Sequence, residues 1–476
     1  MRVLIGVPPL DDPRGNFQTM SNRQVQVFKH GAFIYPPVVA SAATMLKEAG
    51  HEVIWADGEA EGMLWEEYVE DIKMFQPDLI AWEVKTPSVK GTWKRVDSIK
   101  ELIPNVGVVL FGDHITALPD ETLNSSRTDS VITGGDYDFA LCEFVKQGCP
   151  KGRLDFPTTS KLDALPIPNR KLTRYELYAY GRGSGNYKYT PGTHTYFGRD
   201  CWWRKDGGCT FCSWTNTFKN FRVVSVGRAV DEIKACDYLG IREVFDDTGT
   251  FPIGGWLHEF CEQIIKWREK SHSKISIGCN MRPGALKESD YKLMGQAGFR
   301  FILYGMESAN YKTTELINKG QSDGDTEEST RWASRYGMDP HLTLMVGYPW
   351  ESSEDAQRTI EKARELFRKG YAKTLQATIC IPYPGTKLYT QCIDNGWLKY
   401  SPGDWDKWDM RRPVMTCPMS DEEVLSMTRG IYKGCITPQY MARTIANIRS
   451  VDDFKYLFKG FRYLRGHLAD FSSKGK

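Results

Sequence analysis

Residues Thr193 to Ser213 read THTYFGRDCWWRKDGGCTFCS, and the rest of the chain is parsed outward from them. Thr193–Phe197 reads as a strand. Just after it, Cys201, Cys209 and Cys212 form a Cys-x7-Cys-x2-Cys pattern. Three thiolates at close range, with no fourth cysteine nearby, suit an iron–sulfur cluster that keeps one iron open. Gly207 and Gly208 let the loop fold back, which brings the first thiol toward the other two. A structural zinc site normally closes with four ligands; His194, within the strand, is the candidate for a fourth, so zinc stays open as a second reading. Three core thiols without metal fit poorly, because Arg204, Lys205, Asp206 and the glycines make a polar loop. An open iron can hold a reactant, so an enzyme is expected.

Strand and helix signals alternate on both sides of this stretch. Downstream, strands are expected at Thr193–Phe197, Glu243–Phe245, Lys274–Cys279, Phe301–Gly305, Leu342–Val346 and Leu375–Ile381. A helix over Ser225–Leu239 turns Val226, Val230, Ile233 and Cys236 inward. Another follows Ser352, with Ala356, Ile360, Ala363 and Phe367 on one face and Gly370 as its stop. Such βα units make a partial (β/α)6 barrel of the TIM type over residues 191–390, with chemistry on the loops after the strands. Upstream, strands are expected at Arg2–Val7, Glu52–Ala56, Asp78–Glu83, Val106–Phe111 and Ser130–Thr133. A helix opens at Pro36-Pro37 and ends at Gly50. Residues 1–148 therefore read as a Rossmann-like, doubly wound parallel sheet whose ligands sit at the strands' carboxyl ends. The fold class is α/β. Residues 149–190, with Pro150, Pro157, Pro166, Pro168, Gly181, Gly183 and Gly185, read as a connector. Residues 391–476 lose the strand pattern and read as a small, mostly helical region, with helices near 420–433 and 438–447 and an aromatic, basic tail from 454.

Composition narrows the function classes. The profile, 41% hydrophobic and 26% charged over 476 residues, is that of a soluble globular protein. A net charge of +2 without a basic block argues against nonspecific nucleic-acid binding. No run of about 18 apolar residues exists, so no membrane span is expected. The opening MRVLIGVPPL reads as a buried strand, not a signal peptide, which predicts a cytoplasmic location. The other cysteines (Cys142, Cys149, Cys236, Cys261, Cys279, Cys380, Cys392, Cys417 and Cys435) read as free thiols, mostly in the core.

With these features together, the chain resembles the radical S-adenosylmethionine (SAM) superfamily, in its branch with an N-terminal cobalamin-binding domain. The resemblance covers about residues 1–420. The superfamily's commonest spacing is Cys-x3-Cys-x2-Cys, so the longer first gap is a departure. Cys201-Trp-Trp with Cys209-Thr-Phe-Cys212 is similar to members that mature ribosomally made peptides. The resemblance implies a [4Fe-4S] cluster held by Cys201, Cys209 and Cys212, with its open iron chelating SAM. One electron then cleaves SAM to methionine and a 5′-deoxyadenosyl radical, and in the methyltransferase subclass methylcobalamin delivers a methyl group. It also implies SAM contacts. Asp246 and Asp247 match groups that meet the amine, with a helix cap as the structural alternative. Glu307 matches the residue that bonds the ribose hydroxyls, against a salt bridge to a barrel lysine. Arg282 and Lys319 are candidates for the carboxylate, with a surface place expected for Lys319. Gly347 and Pro349 match the segment against the adenine, against a plain turn.

In the N-terminal unit, the loops carrying Thr86, Ser88, Gly112, His114, Gly134 and Gly135 are those that would meet cobalamin. Turn glycines and a capping Ser are the alternative. The Asp-x-His-x-x-Gly signature that supplies a cobalt-binding His is absent; Asp339-Pro-His341 begins like it but lies in the barrel. The leading expectation is a cobalamin-dependent radical SAM C-methyltransferase acting on an unactivated carbon, on a peptide, a protein or a small molecule. A cyclase or rearrangement enzyme that binds cobalamin without transferring methyl is the alternative, and a metal-bearing regulatory protein is a third. An electron donor of flavodoxin or ferredoxin type is implied, as is an anaerobic setting. Trp405, Trp408 and Tyr463 are expected either to dock the substrate or to pack in a core.

Overall fold

The computed structural model describes residues 1–17, 27–28, 33–157, 161–180, 187–322 and 324–471. Two six-stranded sheets organise them. The first is wholly parallel. Its strands are β1 (Arg2–Val7), β2 (Glu52–Asp57), β3 (Leu79–Glu83), β4 (Gly107–Phe111), β5 (Ser130–Thr133) and β6 (Gly152–Asp155). They lie in the order β2-β1-β3-β4-β5-β6. Val3, Leu4 and Ile5 are all buried, as a strand covered by helices on both faces requires. The strand order reverses direction between β1 and β3, so the crevice at their carboxyl ends is this sheet's topological switch point. Helix α1 (Pro37–Glu48) carries Pro at its first turn, where a missing N–H costs nothing.

Strand β6 falls inside the stretch expected to be a connector. Its burial alternates between half-covered and exposed, so it is an edge strand with too few apolar residues to announce itself. Part of the expected connector, including Gly181, Gly183 and Gly185, lies outside the described residues.

The second sheet is also parallel, and its strands follow chain order. They are β7 (Gly192–Thr195), β8 (Glu243–Asp246), β9 (Ser276–Met281), β10 (Phe299–Glu307), β11 (Asp339–Val346) and β12 (Thr374–Ile379). Consecutive βα units in sequential order curl into a half-barrel rather than an open doubly wound sheet. Helix α2 (Val226–Tyr238) buries Val226, Val230, Ile233 and Cys236. Helix α3 (Ser353–Lys369) starts on a capping box between Ser352 and Asp355 and stops at Gly370 in the left-handed conformation, φ +81°.

Three helices close the chain: α4 (Asp421–Cys435), α5 (Pro438–Ala446) and α6 (Val451–Asp470). Between β12 and α4, Trp405 and Trp408 are fully buried. Trp405 donates its indole N–H to Glu121 at 2.9 Å and Trp408 donates to the Pro382 carbonyl at 3.0 Å. They pack in an apolar cluster shared by both sheets, so they are core residues and do not dock a substrate. Of the trio, only Tyr463 reaches the cavity described next.

Candidate active site

The cysteine loop leaves the half-barrel after β7. Gly198–Arg199 pairs antiparallel with Arg222–Val223, so the intervening segment is tied at its base. Cys201 opens a short turn over Trp202–Asp206, and Gly207 (φ +93°) and Gly208 (φ +68°) reverse the chain as their freedom allows. The loop is then pinned to the segment after β10. The Trp203 indole donates to the Asn318 carbonyl at 2.7 Å, the Asn318 amide donates to the Asp206 and Gly208 carbonyls at 2.8 and 2.9 Å, and Thr210 N donates to Ile317 O at 3.0 Å. The partners Ile317 and Asn318 carry no local sequence signal, because these bonds join segments about a hundred residues apart.

All three thiols line one cavity of about 1030 Å³. Arg282, at the end of β9, places its guanidinium 3.8 Å from the Cys209 sulfur and 4.2 Å over the Trp203 ring, and it also donates to the Lys319 carbonyl. Cys201 lies 3.2 Å from the Thr250 hydroxyl. The other thiols are placed differently. Burial pushes Cys142, Cys236, Cys261, Cys392 and Cys435 up to about 12, so they stay protonated. Among the described residues no group of three or more His, Cys, Asp or Glu side chains is gathered to hold a single metal ion. His194 is not free to serve zinc, because its ring is fully buried between Tyr187, which bonds Nδ1, and Phe245.

The adjacent carboxylates after β8 divide. Asp246 turns away from the cavity. It accepts from Phe197 N at 2.8 Å, the Thr195 hydroxyl at 3.2 Å and Thr248 N at 3.2 Å, and burial pushes its carboxyl up to about 7. It braces the start of the cysteine loop. Asp247 lines the cavity and accepts from the Asn280 amide at 2.8 Å. Asn280, another lining residue, went unnoticed in the sequence; its place two residues before Arg282 at a strand's carboxyl end was the available signal.

Glu307 ends β10 at φ +60°, where the register to β11 slips between Gly305 and Glu307. Such an irregularity re-aims a side chain, and here it sends Glu307 into the cavity wall. Its Oε1 accepts from Lys319 Nζ at 2.8 Å. Lys319, expected at the surface, is only 6% exposed, because this ion pair and the pinned 317–319 segment hold it inside. A Cβ at Gly305 would stand 2.4 Å from Glu307 Oε1 and 2.6 Å from Lys319 Nζ, so a larger residue there would push this ion pair aside. Gly347 and Pro349 are not among the lining residues. Gly347, at φ +91°, opens a turn in which its N–H donates to the buried Glu351 carboxylate at 2.6 Å.

The carboxyl end of the first sheet packs against the cysteine loop. Arg222 grips Asp136 through two bonds of 2.9 and 2.8 Å, Arg199 bonds Asp138 at 2.7 Å, and the Ser213 hydroxyl donates to Asp113 at 3.3 Å. A Cβ on Gly135 would meet the Phe218 ring at 2.2 Å. At the switch point, Lys85 is buried between Glu83 at 3.0 Å and Asp113 at 3.2 Å. Burial works against its charge, yet Asp113 and Glu83 together hold it above the ordinary lysine range.

Two family models match the chain. One, for the radical SAM superfamily, covers residues 195–363, and the other, for the B12 binding domain, covers residues 24–140. The chain therefore carries a radical SAM domain with a B12-binding domain N-terminal to it. An uncharacterized methyltransferase of Pyrococcus horikoshii is 27% identical over 423 residues, covering 83% of this chain and 87% of its own. The anaerobic magnesium-protoporphyrin IX monomethyl ester cyclase of Cereibacter sphaeroides is 24% identical over 465 residues, or 93% of this chain and 72% of its own. Among solved structures, the radical SAM methyltransferase TsrM from Kitasatospora setae, with cobalamin and a [4Fe-4S] cluster bound, superposes with a TM-score of 0.68 at 14% identity over 99% of this chain and 98% of that one. The cobalamin-dependent radical SAM enzyme OxsB gives 0.66 at 12% identity over 98% and 71%. At these identities the superpositions speak to the fold.

The radical SAM side of the site fits its groups. Three soft thiol donors line one wall of a cavity that also holds a guanidinium, a carboxylate braced by an amide, and a carboxylate–ammonium pair. On the B12-binding side the sheet order fits, but the six residues named from the sequence are engaged within the protein. Ser88 caps its own turn through Lys85, and Thr86 lies 3.3 Å from the His114 ring. His114 is enclosed by Trp93 and Trp405, with Nε2 3.3 Å from Glu121, which rules it out as a cobalt ligand in this arrangement. A Cβ on Gly112 would stand 2.1 Å from the Val84 carbonyl, so this glycine serves the close approach of two loops. Gly134 N takes the Thr116 hydroxyl as acceptor at 3.2 Å.

Proposed function

We propose that this protein is a cobalamin-dependent radical SAM C-methyltransferase that acts on an unactivated carbon of a peptide, a protein residue or a small molecule. The observation that carries the reading is the meeting of three cysteine thiols, Arg282, Asp247 and Glu307 on one cavity at the carboxyl end of a half-barrel, with a B12-binding domain clamped beside it. When bound, a [4Fe-4S] cluster with SAM supplies the radical that opens a C–H bond, and methylcobalamin supplies the methyl group.

The chain's own residues hold and orient. Cys201, Cys209 and Cys212 ligate the cluster. Arg282, stacked on Trp203 and so fixed in direction, meets the carboxylate of SAM. Asp247, steadied by Asn280, accepts from its amine. Glu307 uses one oxygen for Lys319 and offers the other to the ribose hydroxyls. Asp246 positions the loop from behind. Buried neutral imidazoles and aromatic rings line the barrel and keep water from the reacting carbon. The working units are taken as 1–148, 191–390 and 391–476. An electron donor of flavodoxin or ferredoxin type, a cytoplasmic setting and the absence of a nucleic-acid partner complete the reading.

Anaerobic turnover with methyl-labelled SAM and host extract tests it. A methyltransferase forms 5′-deoxyadenosine and S-adenosylhomocysteine together and passes label to the product. The cyclase relatives favour one alternative, ring formation, and that activity yields 5′-deoxyadenosine without S-adenosylhomocysteine.

A further inference from the structure

The segment after α4 shows solvent an unusual face. On α6, Phe454, Phe458 and Phe461 are 60%, 65% and 58% exposed. Their spacing of four and three residues sets them along one side of the helix. Ile436, Met441 and Ile445, before and within α5, are exposed as well. Arg449, Lys455, Arg462 and Arg465 are exposed on the same segment, and Lys433 in the last turn of α4 is exposed too. Among the described residues from 433 to 471, no acidic side chain is exposed. Asp452 is drawn back against Arg242 at 2.7 Å, Asp453 pairs with Lys188, and Asp470 is partly covered. An apolar patch of this kind marks an interaction site. Phenylalanines set among cations with no exposed anion complement an anionic lipid surface. No helix among the described residues is long and apolar enough to cross a membrane, so any contact is peripheral.

A second observation gives this face a purpose. The cavity lined by the three cysteines is also lined by Ile436, Met441 and Phe461, which are exposed, so it opens onto this face. Its lining also includes the apolar side chains of Phe245, Leu303 and Met345. The His194 and His341 rings there are held neutral, since burial pushes both down to about 3.

We propose that α5 and α6 seat the protein on an anionic bilayer, with the cavity mouth turned to the lipid. A substrate drawn through that mouth is an amphiphile whose apolar part enters the cavity. That clause rests on the methyl transfer proposed above, whereas the docking does not.

Flotation of the full chain with phosphatidylglycerol vesicles tests the docking. The protein floats with them, floats at least tenfold less with phosphatidylcholine vesicles or in high salt, and loses binding by a similar factor in the Phe454→Ser/Phe458→Ser/Phe461→Ser variant. That variant keeps the far-UV circular dichroism and iron–sulfur absorbance. A Phe458→Trp variant, which preserves the face, gains a blue-shifted emission that brominated acyl chains quench. Failure to float, unchanged binding of the triple variant, or a dimer of the wild type that the triple variant converts to monomer overturns the proposal; so does an acidic redox protein that competes the vesicles away. Methyl label recovered in protein or in water-soluble product, with vesicle binding intact, rejects the amphiphile and keeps both docking and methyl transfer. Label in the lipid extract supports all three.

Discussion

The carboxyl ends of the two parallel sheets have the same architectural reason to bind a ligand, yet they are finished differently. In the half-barrel, the loops carry their charged groups into a cavity of about 1030 Å³, and Arg282, Asp247 and Glu307 face it with the cysteines. In the doubly wound sheet, the corresponding loops fold onto the protein itself: Lys85 is consumed by Glu83 and Asp113, His114 by two tryptophans and Glu121, and Gly135 by Phe218. Strand direction alone therefore selects where a site can form, and the loops decide how its side chains are committed.

Breaking the open end has the largest expected effect. Alanine at Cys201, Cys209 or Cys212 abolishes both the iron–sulfur absorbance and formation of 5′-deoxyadenosine, whereas Cys236→Ala, in the core, keeps both; a cluster that survives any of the three changes removes the basis of the comparison. Next comes the seam between the two ends. Arg199→Ala leaves the buried Asp138 without its cation, and chemical denaturation should show a loss of roughly 3–5 kcal/mol, the usual cost of half a buried pair. Glu307→Gln weakens SAM binding by about 10–100-fold in calorimetry, from the roughly 1.5–3 kcal/mol of a charged hydrogen bond; an unchanged affinity would return Glu307 to a purely structural partner of Lys319.

The lining of the half-barrel cavity titrates. His194 sits near 3 in the folded protein, well below its unfolded value. Between about pH 3 and 6.5 the unfolded chain binds the proton that the folded one refuses, so stability falls as pH drops through that window. His194→Gln removes one such proton, and the slope of stability against pH there should flatten by about 1.4 kcal/mol per pH unit. The smallest effect is expected in the doubly wound sheet: His114→Gln leaves the visible bands of bound cobalamin where they are, since His114 is packed between Trp93 and Trp405. A shift in those bands would show that His114 rearranges when cobalamin binds.

Much of this was readable from periodicity. Strands β1 to β5 and β7 to β12 were expected within a few residues, because buried parallel strands are short runs of apolar residues bounded by turns. The edge strand β6 was missed because half of it faces water. The Asp246–Asp247 pair shows the limit well. Neighbours on a strand point to opposite faces, so one must brace while the other serves the cavity, and identity does not say which. Lys319 looked like a surface residue because lysines usually are, and its ion pair with Glu307 together with the pinned 317–319 segment brings it inside.

By itself, the order of residues determined the local facts: which runs are strands, where Gly207, Gly208 and Gly370 permit reversal, and that three cysteines lie within reach of one another. These follow from hydrophobic spacing and backbone freedom, which act over a few residues. Tertiary structure alone decided which charges meet across a hundred residues or more, which thiols stay accessible while others are locked in the core, and that the cavity lined by the cysteines is also lined by exposed residues of the closing helices. Such facts depend on burial and on partners from distant segments, and no local rule carries that information.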